Sequence, residues 1–225
     1  MLLDFRETKK ILGRYDIPMP PSKNIDNIQE GIGFAQKFGW PASAKAMAGK
    51  PVVLKLLVPG NLHKIDKGLV KLNIQNEREL KSAYKDLIRE GQPLLKSGKG
   101  CPSQVLIQRQ VEGTEIFIGM KRDKSFGPVI SFGLGGIFLE VLGDVVFGLC
   151  PLSQKEAMAM VKKIKGYKIL QGYRTGKPLC IKGIVDIVTK VSRMAEKETQ
   201  IQEIDFNPIF VNQSSAIVAD PKIIC

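Results

Sequence analysis

The sequence predicts an α+β protein built as two lobes, and three observations carry that prediction. Strand-like and helix-like periodicities alternate in clumps along the chain, with no internal repeat. A single stretch, Lys96-Ser97-Gly98-Lys99-Gly100, has linker composition and divides the chain into residues 1–98 and 99–225. At 225 residues there is enough chain to bury one or two small cores.

The elements follow from local signals. Asp4 with Glu7 forms a capping box for a first helix running to Tyr15, and Ile17-Pro18-Met19-Pro20-Pro21 is necessarily extended. Ile28, Ile32 and Ala35 recur at helical spacing until Phe38-Gly39-Trp40-Pro41 stops them. Residues 51–58 read as a buried strand and 68–74 as the next. Asn76 with Glu79 then caps a helix whose apolar face is Leu80, Ala83, Tyr84 and Leu87. Strands are expected at 104–111, 115–120 and 128–132, followed by a glycine-rich turn and a strand at 144–149. Ser153 with Glu156 caps another helix, and Ile181, Ile184, Val188, Val191 and Ala195 mark a longer one.

Composition narrows the function classes. Hydrophobic residues make up 44% and charged residues 25%, as in an ordinary soluble protein. No uncharged apolar run reaches the ~20 residues that a membrane helix needs. Met1-Leu2-Leu3 runs directly into Asp4 and Arg6, so no secretory signal is expected and the chain reads as cytoplasmic. The four cysteines are scattered without a CxxC pair, which argues for neither a disulfide framework nor a zinc site. A net charge of +12 calls for an anionic partner. The basic residues are spread out and no basic–aromatic motif is present, so that partner is not expected to be nucleic acid.

The residues that can carry chemistry centre on Gln202-Glu203-Ile204-Asp205-Phe206-Asn207-Pro208. In a strand, Glu203, Asp205 and Asn207 share one face and Ile204 and Phe206 the other, with Pro208 closing the strand. Carboxylate and amide oxygens suit Mg²⁺, with phosphates completing its shell; an acidic strand facing water is the plain alternative. A second strand from Ala216 to Asp220 follows the turn Asn212-Gln213-Ser214-Ser215, and a hairpin there brings Asp220 beside Asp205 and Asn207. Lys55 lies inside an apolar strand, where an ammonium needs an anion such as phosphate or else must reach solvent. His63, the only histidine, is in the loop from Pro59 to Asp66; a neutral imidazole is a competent nucleophile toward phosphoryl groups. Gly133-Leu134-Gly135-Gly136 lets backbone N–H groups approach an anion, or forms a tight turn. Arg174, in Gly172-Tyr173-Arg174-Thr175-Gly176, offers a guanidinium to phosphate or sits idle on the surface.

Taken together these residues resemble the β subunit of ADP-forming acyl-CoA (acetyl-CoA) synthetases. The resemblance runs through Val52-Val53-Leu54-Lys55, Pro59 to His63-Lys64-Ile65-Asp66, Gly68 and Val70, and Glu112-Gly113-Thr114-Glu115. It continues through Gly119-Met120-Lys121-Arg122-Asp123, then from Phe126-Gly127-Pro128 to Gly136, Glu140 and Asp144. Gly172-Tyr173-Arg174 and Glu203-Ile204-Asp205-Phe206-Asn207-Pro208 complete it in order. The resemblance implies an ATP-grasp fold, two α+β lobes enclosing a nucleotide site, with Mg²⁺ and ATP or ADP as ligands. It implies that Lys55 contacts phosphates, Gln108 lies beside adenine and Glu115 takes the ribose hydroxyls. Gly135 and Gly136 would line the same nucleotide. Asp205, Asn207 and Asp220 would hold Mg²⁺, with Arg174 serving the reaction. His63 would carry a phosphoryl group between a histidine of a CoA-binding α subunit and ADP, in an α2β2 heterotetramer. The implied reaction makes acid, CoA and ATP from acyl-CoA, ADP and phosphate.

The sequence departs from that pattern in an insertion at Pro41 to Lys50, in Leu69 and Thr175 where glycines are usual, and in Cys180 for an aspartate. The insertion creates a second lysine candidate, Lys45; the spacing to the histidine loop favours Lys55. Two other readings stand beside this one: a free-standing ATP-grasp carboxylate ligase working through an acyl-phosphate, and a non-catalytic nucleotide-binding module.

Overall fold

The computed structural model describes residues 1–38, 40, 50–57, 68–95, 104–173 and 176–225. In chain order the elements begin with α1 (Phe5–Arg14), β1 (Ser22–Ile25), α2 (Ile28–Phe38), β2 (Val52–Leu57), β3 (Val70–Ile74), α3 (Glu77–Leu95) and β4 (Gln104–Arg109). They continue with β5 (Thr114–Asp123), β6 (Gly127–Leu134), α4 (Ile137–Leu142), β7 (Val145–Leu149), α5 (Gln154–Lys162) and α6 (Tyr167–Leu170). The last are α7 (Ile181–Lys197), β8 (Glu203–Val211), β9 (Ala216–Val218) and β10 (Pro221–Ile224). Among the described residues no helix is long and apolar enough to cross a membrane.

Packing divides the chain into a smaller unit, Pro20–Gln110, and a larger one made of Met1–Met19 and Val111–Cys225. The boundary thus falls twelve residues beyond the expected 98/99 division (110 − 98), and the first helix belongs with the C-terminal half. Backbone pairing is the reason. β4 is an inner strand of the smaller unit's sheet, ordered β1-β4-β2-β3, so it cannot leave that unit. At the other end, Leu2 bridges to Ile224 and the Leu3 N–H donates to the Ile223 carbonyl at 2.9 Å, fixing the start of the chain to β10.

In the smaller unit α2 and α3 cover one face of an antiparallel four-stranded sheet. Ile32, Phe34 and Ala35 of α2 and Leu80 and Leu87 of α3 meet Val52, Leu54, Leu56, Val105 and Ile107 there. The expected cap of α3 is present, the Glu79 N–H donating to Asn76 Oδ1 at 3.0 Å. Leu69 is fully buried in this core. The larger unit is built on an antiparallel sheet of order β10-β8-β5-β6-β7, with β9 pairing the distal end of β8. Helices α5 and α7 close one face over Ile116, Ile118, Ile130, Phe132, Ile204 and Phe206. Both predicted capping boxes form, Asp4 with Glu7 and Ser153 with Glu156. Between the glycine-rich run and the next strand the chain forms the short helix α4, which is not expected from sequence.

Candidate functional site

In the smaller unit, strand pairing decides which polar residues meet. Val53 pairs with Gln108 and Lys55 with Leu106 in the β2–β4 ladder. With a side-chain period of two, these four residues share the face opposite the helices. They are nonetheless buried: Lys55 is 7% exposed and Gln108 2%. The solvent-reaching alternative for Lys55 is therefore wrong. A buried ammonium is strongly unfavourable without hydrogen-bonding or anionic partners, and both Lys55 and Gln108 have polar partners.

In the larger unit the predicted alternation of β8 holds through Phe206. Ile204 and Phe206 are buried on the helix side, and Glu203, Asp205 and Asn207 are half-buried on the other. Pro208 does not close the strand. β8 continues to Val211, and its register against β5 shifts between the Ile116↔Ile209 and Ile118↔Phe206 pairs, where β8 carries one extra residue. A bulge is a place where proline, lacking an N–H, is tolerated within a sheet, and bulges recur beside active sites. The Asn207–Pro208 peptide is cis. At this bulge the Asn207 N–H donates to the Asp220 carbonyl at 3.3 Å, and the Ala219 N–H to the Pro208 carbonyl at 3.1 Å. The expected placement of Asp220 beside Asn207 is thus what the backbone does.

One row across the helix-free face reads Lys222, Asp205, Gly119, Ser131, Phe147. Glu115 and Phe117 precede Gly119 at the two-residue period, so Glu115 lies on the same face as Asp205 and Asn207. Its carboxylate rests against the glycine run: a Cβ on Gly136, whose φ is +58°, would stand 2.8 Å from Glu115 Oε2. A Cβ on Gly135 would stand 3.2 Å from the Ile116 carbonyl carbon. These two glycines therefore bring Glu115 and the start of α4 together. The Gly135 N–H is already committed, donating to the Glu115 carbonyl at 2.8 Å. Asp144 has a framework role: its two carboxylate oxygens accept from the Lys165 and Gly166 N–H groups at 3.0 and 2.8 Å.

Lys222 was missed by sequence reasoning. It stands opposite Asp205 in the β8–β10 ladder, and its Nζ donates to Asp205 Oδ2 at 3.2 Å. The signal was there in its spacing of two from Asp220, but it becomes readable only once the register against Asp205 is known. Two carboxylates, an amide oxygen and room for phosphate make a hard-oxygen donor set of the kind Mg²⁺ takes, so Asp205, Asn207 and Asp220 fit the metal. Among the described residues no cluster of three or more His, Cys, Asp or Glu side chains is present. His63 and Arg174 lie outside the described residues. An open groove of about 450 Å³ between β3 and α3 is lined by none of the candidate catalytic, nucleotide-binding or metal residues.

Comparison with known proteins adds to this geometry. A family model described as an ATP-grasp domain matches residues 1–225. The β subunit of ADP-forming acetate–CoA ligase I of Pyrococcus furiosus is 38% identical over 218 residues, spanning 97% of this chain and 89% of that one. A dinucleotide-forming acetyl-coenzyme A synthetase 1 of Ca. Korarchaeum cryptofilum, solved with coenzyme A and Ca-AMPCP, superposes with a TM-score of 0.86 at 32% identity. That match covers 100% of this chain and 92% of the other. A further structure of the same enzyme holds coenzyme A and Mg-AMPPCP, with its phosphohistidine segment pointing towards the nucleotide-binding site. It matches with a TM-score of 0.80 at 33% identity, over 99% of this chain and 92% of that one.

Proposed function

Because the chain belongs to the ATP-grasp domain family, and within it to the β subunits of ADP-forming acetate–CoA ligases, we propose that it is the nucleotide-binding subunit that makes ATP from ADP through a phosphohistidine. The observation that carries the reading is the open face of the larger sheet. There Asp205, Asn207 and Glu115 project from neighbouring strands while Asp220 is tied to Asn207 through the backbone.

In the larger unit the proposed roles are metal and ribose binding. Asp205, Asn207 and Asp220 hold Mg²⁺, Glu115 takes the ribose hydroxyls, and Gly135 and Gly136 let the carboxylate of Glu115 and the chain after β6 approach each other. In the smaller unit Lys55 serves the phosphates and Gln108 the base. When bound, Mg²⁺ neutralises phosphate charge during the transfer. His63 is the only histidine in the chain, so a phosphohistidine segment like that of the relative can be built on no other residue. In the transfer, a terminal phosphate oxygen of ADP forms the new P–O bond as the P–N bond of phosphohistidine breaks. The electron pair returns to the imidazole ring, and Arg174 offers its guanidinium to the moving phosphoryl charge. The phosphoryl group reaches His63 from acyl-CoA and phosphate through a CoA-binding α subunit, with an α2β2 assembly as the proposed form.

Incubating the chain with its α partner, acyl-CoA and radioactive phosphate, without ADP, tests the reading. An acid-labile, base-stable label on this chain is expected, and it should chase into ATP when ADP is added. His63→Ala should lose both the label and turnover while retaining nucleotide binding. Near wild-type turnover in His63→Ala would show that phosphate reaches ADP without this histidine.

A further inference from the structure

Lys222 belongs to no role assigned so far, yet its position is specific. It faces Asp205 directly across the β8–β10 ladder, and its Nζ reaches Asp205 Oδ2 at 3.2 Å. On its other side Asp205 pairs with Gly119, which has no side chain, so Lys222 is its lateral side-chain neighbour in the row. The Oδ2 contact is the interaction described for this carboxylate, and Oδ1 has no partner among the described residues. One oxygen is held and the other is open.

We infer that Lys222 is a positioning residue for the metal: by holding Oδ2 it fixes the Asp205 carboxylate with Oδ1 left to ligate Mg²⁺. The inference rests on the reading of Asp205 as a metal ligand. Two opposite effects are in play. An ammonium beside a ligand repels an incoming cation, whereas a group that orients a ligating carboxylate typically strengthens metal binding by about 10–100-fold. The side chains of Lys222 and Asp205 are 23% and 39% exposed, so solvent screens the repulsion. Orientation is then the larger effect. A free aspartate samples several rotamers, and each that turns Oδ1 away weakens the site.

The test is a calorimetric titration of the full chain with ADP at a series of Mg²⁺ concentrations, reading the Mg²⁺ needed for half-maximal ADP binding. Lys222→Met should raise that concentration about tenfold or more, and Lys222→Arg should restore most of the loss because its guanidinium also reaches a carboxylate. Melting curves without nucleotide confirm that each variant is folded. An unchanged Mg²⁺ requirement in Lys222→Met overturns the inference, and a lowered one does so by making Lys222 a competitor of the metal. Asp205→Asn separates the two levels. If it loses the Mg²⁺ dependence while Lys222→Met keeps it, only the role of Lys222 falls. If Asp205→Asn behaves as wild type, the metal reading falls and takes Lys222 with it.

Discussion

On the helix-free face of the smaller unit's sheet Lys55 is 7% exposed, whereas on the helix-free face of the larger unit's sheet Asp205 keeps 39% of its side chain in solvent. Both strands lie inside antiparallel sheets, yet they treat charge in opposite ways. β2 is buried on both faces from Val52 to Leu56, so its sequence reads as an apolar run broken by one lysine. β8 is buried on one face only and alternates. A charge in the first setting must be satisfied by the protein itself; a charge in the second is left for something that arrives from solution.

The largest expected effect breaks the comparison within β8 itself. Phe206 is fully buried and its neighbour Asp205 half-exposed, although one peptide bond separates them. Phe206→Ala should cost about 3–5 kcal/mol of unfolding free energy, measured by denaturant titration. Asp205→Ala should cost under about 1 kcal/mol and instead remove the Mg²⁺-dependent part of nucleotide stabilisation. Equal losses of stability from the two variants would mean that β8 does not have one structural and one functional face.

Next in size is the lysine. Replacing Lys55 with Met keeps an unbranched chain of similar length and removes the charge. Nucleotide affinity should fall by about 1.5–3 kcal/mol, the usual worth of hydrogen bonds to a charged group, when read by calorimetry. An undiminished affinity would assign Lys55 to the framework and leave the smaller unit without a phosphate ligand.

What could be read from sequence follows the same division. Signals that are local in the chain were legible: the capping boxes of α1 and α5, the cap of α3, and the alternation of Glu203 to Asn207. Signals that depend on a distant partner were not. β1 has the composition Ser-Lys-Asn-Ile and is a strand because β4 pairs with it eighty or more residues later (105 − 25 = 80 at the nearest pair). Pro208 reads as a stop, since the bulge that accommodates it is defined only against β5. The lobe boundary was placed by linker composition, but the strand that follows the linker pairs backwards. Among site residues Lys55, Asp205 and Asn207 stood out because polar groups in apolar strands are costly. Gln108 and Glu115 were named only through family resemblance, and Lys222 went unnoticed among many lysines.

The smallest effect concerns how α1, first in sequence, is held in the larger unit. The Tyr15 hydroxyl donates to Glu198 Oε1 at 3.0 Å, and Arg14 lies 3.2 Å from the same oxygen, tying the end of α1 to the end of α7. The hydrogen bond from Gln200 chiefly, then those from Tyr15 and the charge of Arg14, hold the Glu198 carboxyl below its ordinary value of 4.5. A depressed carboxylate contributes stability that is fully present above pH 4.5 and is lost as pH falls through the lower folded-state value. Burial first, then the hydrogen bond to Glu198 and its charge, raise Tyr15 above 10.0. A raised phenol contributes stability present below pH 10.0 and lost as pH rises through its folded-state value. Tyr15→Phe should therefore destabilise by about 1 kcal/mol near neutrality. The difference from wild type should narrow below about pH 4.5 and again above about pH 10. Part of the acid-side loss should persist in the variant, because the Gln200 hydrogen bond to Glu198 remains. Melting curves collected from pH 3 to 11 read the pattern directly, on the order of a few degrees at neutral pH for a chain of this size. A difference that stays constant across that range would mean that α1 is held by its apolar contacts alone, with Leu12, buried in the larger unit's core, as the residue to change next.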